Sequence, residues 1–217
     1  STLDRSSAAS DVYKRQQLQM IIPFLMLQAD ALNKAMTTFK KNQPVGDAIG
    51  PMIVGKLMLE HEKHDIAIDT VYAESDILDR KAILVTAKGP TGTVGQPGNA
   101  VQELIQKENP SLLIMIDAAL KLEGEKTGEV AEGIGAAIGG IGVDKFKIEE
   151  AATNNNVPVY AIVVKQTVVE AISIMTKEIA ESVDTVHDII HRIIKERTQA
   201  NDKIIIVGVG NTIGVIQ

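Results

Sequence analysis

The sequence predicts an α/β domain of three layers, with helices on both faces of a mainly parallel sheet. Short runs rich in Val, Ile and Leu alternate with longer segments of helical periodicity along most of the chain. Two of these runs, "SLLIMID" and "KIIIVGV", are apolar almost throughout, as strands buried on both faces are. With 217 residues and 45% apolar content, the chain can bury one sizeable core, so residues 44 to 217 read as a single domain.

The opening "STLDRSSAASDVYKRQ", residues 1 to 16, is polar and patternless. It resembles translated library-adapter sequence carried into assembled reads, and is read as a non-native or disordered leader outside the fold. The localisation reading is cytoplasmic, with a membrane anchor upstream of Gln17 as the alternative. Residues 17 to 43 form an N-terminal helical segment: Leu18, Ile22, Leu25, Ala29, Leu32, Met36 and Phe39 recur at helical spacing, with a break or kink expected near Pro23. "NQPVGDAIGP" is turn chemistry, and residues 49 to 63 read as a second helix. "DIAIDTVYA" and "KAILVTA" are strand candidates, each a short apolar, β-branched run. The Gly- and Pro-rich loop "KGPTGTVGQPG" leads into the helix "NAVQELIQKEN", which Pro110 stops. After the strand "SLLIMID" come a glycine-rich segment over 124 to 142, a helix near 145 to 153 and the strand "VPVYAIVV". One helix or two occupy 167 to 199, and "KIIIVGV" is the final strand.

Composition excludes several classes. A net charge of -6 and a pI near 5.3, with scattered Lys and Arg, do not suit a nucleic-acid partner. The absence of Cys removes disulfides, thiolate metal sites and thiol nucleophiles, and suits a reducing, cytoplasmic setting. The early run "MIIPFLML" falls far short of the roughly 20 apolar residues of a membrane helix.

Two aspartates stand out. Asp117 sits at the carboxyl end of "LLIMID", where ligands bind in open parallel sheets, and Asp47 precedes a helix. Each also suits a helix cap. Brought together in a dry cleft, two carboxylates cannot both ionise easily, so one keeps a proton and the pair offers an acid and a base. "HDIIH", His187 to His191, has metalloprotease-like spacing with Asp188 in place of Glu. On the helix whose apolar stripe runs through Ile179, Val183, Val186, Ile190 and Ile194, however, His187 falls at the edge and His191 beyond it, and a third ligand is not evident. "HEKH", His61 to His64, is a weaker pattern. The run "EGIGAAIGGIGVDKFKIEE" is neither a P-loop nor a dinucleotide fingerprint, and reads as a mobile loop over a site or a flexible linker. The terminal "GVGNTIG" lacks the helix that a dinucleotide site needs.

Taken together, "PVGDAIGPMIV", "GTVGQPGNAVQELIQKENPSLLIMIDAAL", "IGGIGVDKF" and "VPVYAIVVKQTVVEAI" resemble, in order, the germination protease and hydrogenase maturation endopeptidase superfamily over residues 44 to 172. The resemblance places the two catalytic aspartates of that superfamily on Asp47 and Asp117. Its Gly-x-Gly-Asn strand end, expected immediately before the first aspartate, is found here as Gly208 to Asn211 at the C-terminus. That implies a circular permutation in which the last strand takes the place of the first, an arrangement also resembling an uncharacterised archaeal family. "GIGAAIGGIG" has no His where those families carry one, so nickel recognition is not implied.

The resemblance implies a peptidase-like hydrolase with a protein or peptide substrate and no cofactor: Asp47 and Asp117 activate water and polarise the carbonyl, while Gly208, Gly210 and Asn211 approach the substrate. Backbone amides near Gly95 or Gly139 are candidates for stabilising an oxyanion. The alternative is a noncatalytic module or scaffold, with Asp47, Asp117 and Asn211 holding Mg2+ or Ca2+ as hard oxygen ligands, or with the N-terminal helix serving as a self-association surface.

Overall fold

The computed structural model describes residues 2–140 and 142–217, with side chains for all of these except residues 2–10, 34, 35, 37–40, 137 and 138. Ile141 of the glycine-rich segment and the Phe39 side chain therefore lie outside the description.

Seven strands form one mixed sheet in the order β1-β2-β3-β7-β4-β6-β5. They are β1 (His64–Ala67), β2 (Thr70–Ile77), β3 (Arg80–Ala87), β4 (Leu112–Leu120), β5 (Val130–Ile134), β6 (Val159–Gln166) and β7 (Lys203–Gly208). The middle four, β3, β7, β4 and β6, are parallel, while β1, β2 and β5 add antiparallel edges. The last strand in the chain is thus inserted near the middle, with Ile204 between Ala82 of β3 and Leu112 of β4.

Alternation along these strands separates two cores. Leu84, Ile114, Ile116, Ile162, Ile204 and Ile206 face α2 (Ile49–Met58) and α6 (Lys177–Arg197), whose Ile53, Val54, Ile179, Val186 and Ile190 complete that core. Ile83, Val85, Leu113, Met115, Ile205 and Val207 face α3 (Pro97–Glu108) and α4 (Val143–Asn154), meeting Val101, Leu104, Ile148 and Ala152. The fold is the expected three-layer α/β sandwich. The uninterrupted apolar reading of β7 and β4 follows from burial on both sides.

Some elements differ from the sequence reading. "DIAIDTVYA" splits into a hairpin, because Asp69 takes positive φ (48°) at the turn between β1 and β2. The second helix stops at Met58, and the glycine-rich segment contains β5 and a 3-10 turn over Ala136–Gly139. Residues 167–199 form two helices, α5 (Val168–Ile172) and α6, with α5 closed by a reciprocal Thr167–Glu170 capping box. The N-terminal helix α1 runs from Thr2 to Lys41, through Pro23, and meets the body at α5. Among the described residues no helix is long and apolar enough to cross a membrane.

Candidate active site

The site forms where β7 stops short of its neighbour. Gly208, the last residue of β7, pairs with Ile116, whereas β4 runs on through Asp117 to Leu120. Beyond Gly208 the chain turns: the Val209 N–H donates to the Ile116 carbonyl at 2.9 Å. Gly210 then adopts φ +143°, a conformation that L side chains rarely adopt. A Cβ at Gly210 would lie 2.1 Å from the Asp47 carbonyl, so only glycine lets this turn press against the segment before α2.

That close approach gives Asp47 its partner. Asp47 lies in a 3-10 turn (Gly46–Ala48), and its Oδ2 accepts the Asn211 N–H at 2.9 Å. It does not cap α2, whose N-cap residue is Ala48 and has no side-chain capping bond. The Asn211 side chain accepts the Ile213 N–H at 2.9 Å and fixes the same turn. Asp47 therefore joins the first helix of the domain to the end of the last strand.

Asp117 is 3% exposed. Its Oδ1 accepts the Ala118 N–H at 2.8 Å, and its Oδ2 lies 2.7 Å from Lys145 Nζ. Lys145, in the first turn of α4, also donates to the Gly139 carbonyl. Gly139 covers the pair: a Cβ there would stand 2.8 Å from Asp117 Oδ2. Burial pushes the Asp117 carboxyl up to about 6, overcoming the opposing pull of Lys145, and the nearby Asp47 charge adds to the rise. Burial also raises Asp47, against the Asn211 N–H and the Lys145 charge, which both lower it. Two carboxyls and one ammonium thus act on one another.

A cleft of about 370 Å3 opens above them, lined in part by Asp47, Gly139, Gly140, Lys165 and Gln166. Gln166 is 1% exposed; its Nε2 donates to the Gly46 carbonyl at 3.1 Å, while its Oε1 is buried without a hydrogen-bond partner. Neither Lys145 nor Gln166 was singled out from the sequence. The cue for Lys145 was its place one turn into a helix after a glycine-rich loop.

The fold gathers Asp47, Asp117, Gly139, Gly208, Gly210 and Asn211 around the end of β7. Gly95 lies elsewhere, before α3, where a Cβ would meet the Asp69 carbonyl at 2.5 Å and Thr70 Oγ1 at 2.6 Å. His187 and His191 sit on α6 with ring centroids 6.0 Å apart, in a separate groove beside Lys56 and Asp184. His64 packs against the Tyr72 ring. Among the described residues no three His, Asp or Glu side chains gather around one point.

Residues 45–216 match the family described as the C-terminal domain of DUF1512, a domain of unknown function. The chain belongs to that family. The match begins two residues before Asp47 and ends beyond Asn211, so it takes in both carboxyls, Lys145 and β7, and leaves α1 outside. The chain is also similar to germination proteases of Clostridium perfringens, from strains ATCC 13124, SM101 and 13. Each is 30% identical over 132 residues, 59% of this chain. The chain spans only 38% of the length of each of these relatives.

Proposed function

We propose that the cleft above Asp47, Asp117 and Lys145 is the centre of a peptidase-like hydrolase. The observation that carries this reading is the buried Asp117 carboxyl, raised to about 6, beside Lys145 and under the electrostatic influence of Asp47. Asp47 lines the cleft and, ionised, takes the proton of an attacking water. Asp117, behind it, retains a proton on the acid side of about 6 and supplies it to the polarised carbonyl or the departing amine. Lys145 limits the repulsion between the two carboxyls. Similarity to germination proteases supports the same class of substrate.

Within this reading the chain is circularly permuted relative to those proteases, with β7 standing in for their first strand. Support comes from the end of the chain: a Cβ on Gly214 would lie 2.6 Å from the Asn42 carbonyl and 2.7 Å from Pro44 N. Gly214, a few residues past β7, thus lies beside the residues that lead into Asp47.

A divalent cation fits less well. Lys145 Nζ already stands 2.7 Å from Asp117 Oδ2, where Mg2+ or Ca2+ would need to sit, and would have to be displaced. Incubation with a peptide library and mass-spectrometric mapping of products tests the proposal. Cleavage that survives chelation and is lost in both Asp47→Asn and Asp117→Asn is expected. Cleavage retained in either variant, or no cleavage by the folded protein, sinks the dyad.

A further inference from the structure

We infer that α1 is a homodimerisation helix, pairing in parallel with α1 of a second copy of this chain as a two-stranded coiled coil. The apolar positions Leu18, Ile22, Leu25, Ala29, Leu32 and Met36 are spaced alternately four and three residues apart, a strict heptad rather than a general helical stripe. A 3.5-residue period keeps one seam in line only when a second helix winds around it. Leu18, Leu25 and Leu32 occupy the d positions and Ile22, Ala29 and Met36 the a positions; Leu at d with β-branched Ile22 at a favours two strands, and the small Ala29 lets the helices approach.

The structure leaves this seam open. Leu18, Ile22, Leu25, Leu32 and Met36 are between 47% and 59% exposed, although each is apolar. The body holds α1 from another side: Ala31 is 3% exposed, and Phe24, Leu27 and Ala31 form a groove with Val168 and Ile172 of α5. Those three fall at c and f positions, on the outer side of a heptad, so docking on the body leaves most of the seam free for a second helix. Leu32, at d, and Gln28, at g, also line the groove and are shared between the two contacts. Pro23 falls at an outer b position, away from the seam.

The flanking residues choose the occupant. From Leu18 to Met36 the e and g positions hold Gln19, Ile21, Met26, Gln28, Asn33 and Ala35, with no charge to repel an identical helix. Parallel pairing sets Ile21 of one copy beside Met26 of the other, and Gln28 beside Asn33. Apolar then meets apolar and amide meets amide. Ile21 and Met26 are 48% and 67% exposed in the single chain, and they widen the seam. Two such faces supply apolar area on the order of the roughly 1,200 Å2 that a specific interface buries.

Sedimentation equilibrium of the whole chain at micromolar concentration should give twice the 23.3 kDa chain mass. The double variant Leu18→Glu, Leu25→Glu should halve that mass without changing thermal unfolding of the body, because neither side chain lies in the groove that holds α1. The chain has no cysteine, so Leu18→Cys alone should give a disulfide-linked dimer on oxidation, whereas Met20→Cys, at an outer f position, should not. A monomeric whole chain overturns the inference, including one that floats with phospholipid vesicles, which would assign the face to lipid. A dimer that survives the double Glu variant overturns it too, and a dimer that Leu18→Cys does not cross-link overturns the parallel pairing.

Discussion

Asp117 Oδ2 and Lys145 Nζ stand 2.7 Å apart beneath Gly139, joining the middle of the sheet to the first turn of α4. The pair is held where water has little access, so the protonation of Asp117 bears on both stability and chemistry.

The first prediction concerns pH. Asp117 is raised from an ordinary value near 3.8 to about 6, so between those limits the folded protein binds a proton that the unfolded chain has released. Stability from this group is therefore greatest below the lower limit and declines as pH rises through the window, by about 2–3 kcal/mol in all. Denaturant titrations across that range should show the decline, and Asp117→Asn should flatten it and leave the protein more stable at neutral pH. An Asp117→Asn protein whose pH profile matches the parent would contradict the assignment. The proposed cleavage should likewise fall above pH 6 or so as Asp117 loses its proton.

Replacing Lys145 by Met leaves an unpaired carboxyl in place. At neutral pH the variant should lose about 1–3 kcal/mol, less than a fully trapped charge would cost, because Asp117 can take up a proton instead. Near pH 4.5, where Asp117 is protonated in both proteins, the difference should shrink toward what the Lys145 bond to the Gly139 carbonyl contributes. Carboxyl-carbon NMR should place the Asp117 midpoint above its parent value in Lys145→Met and below it in Asp47→Asn, since Lys145 lowers and Asp47 raises it. A midpoint that does not move in either variant would show that these groups do not act on one another.

How far the sequence revealed this arrangement depended on whether a signal was local. The strands β4 and β7 were legible because burial on both faces leaves an apolar run, and the α6 stripe through Ile179, Val183, Val186, Ile190 and Ile194 was legible from its period. β5 was not: "VAEGI" carries Glu132 and Gly133 on an exposed edge, inside a glycine-rich stretch. Lys145 was missed because a lysine in a first helical turn reads as solvated until β4 and α4 are brought together. Asp47 had the sequence signature of a cap, yet its bond goes to Asn211, 164 residues away in the chain.

Gly210 separates steric need from flexibility. Gly210→Ala would place a methyl 2.1 Å from the Asp47 carbonyl at φ +143°, so it should destabilise by more than about 2 kcal/mol and disturb the Asp47–Asn211 contact. Gly124→Ala, at φ +90° with nothing within 4 Å, meets only backbone strain and should cost about 1 kcal/mol. Urea unfolding of the two variants compares them directly, and equal losses would mean that the turn after β7 has room to yield.

The last prediction tests the connectivity of the sheet. Gly214 lies against residues 42–44: its Cβ position is 2.6 Å from the Asn42 carbonyl. Gln217 is three residues further on, hydrogen-bonded to Ala87 and Gly89, so a linker of about six residues suffices to turn back and join it to Pro44. A matching break fits in the turn after α6, where Asn201 has positive φ and the backbone is exposed on the surface. The rearranged chain would begin at Asn201, enter β7, turn through Gly210 and Asn211, and pass straight to Asp47, making local the contact that now spans the chain. It should fold with the same helix and strand content and keep Asp117 titrating near 6. Its stability should lie within about 2 kcal/mol of the parent body lacking α1, since the contacts are unchanged and only loop closure differs. An insoluble or molten product would mean that the present order of the strands is required for folding, and that the two ends are neighbours without being exchangeable.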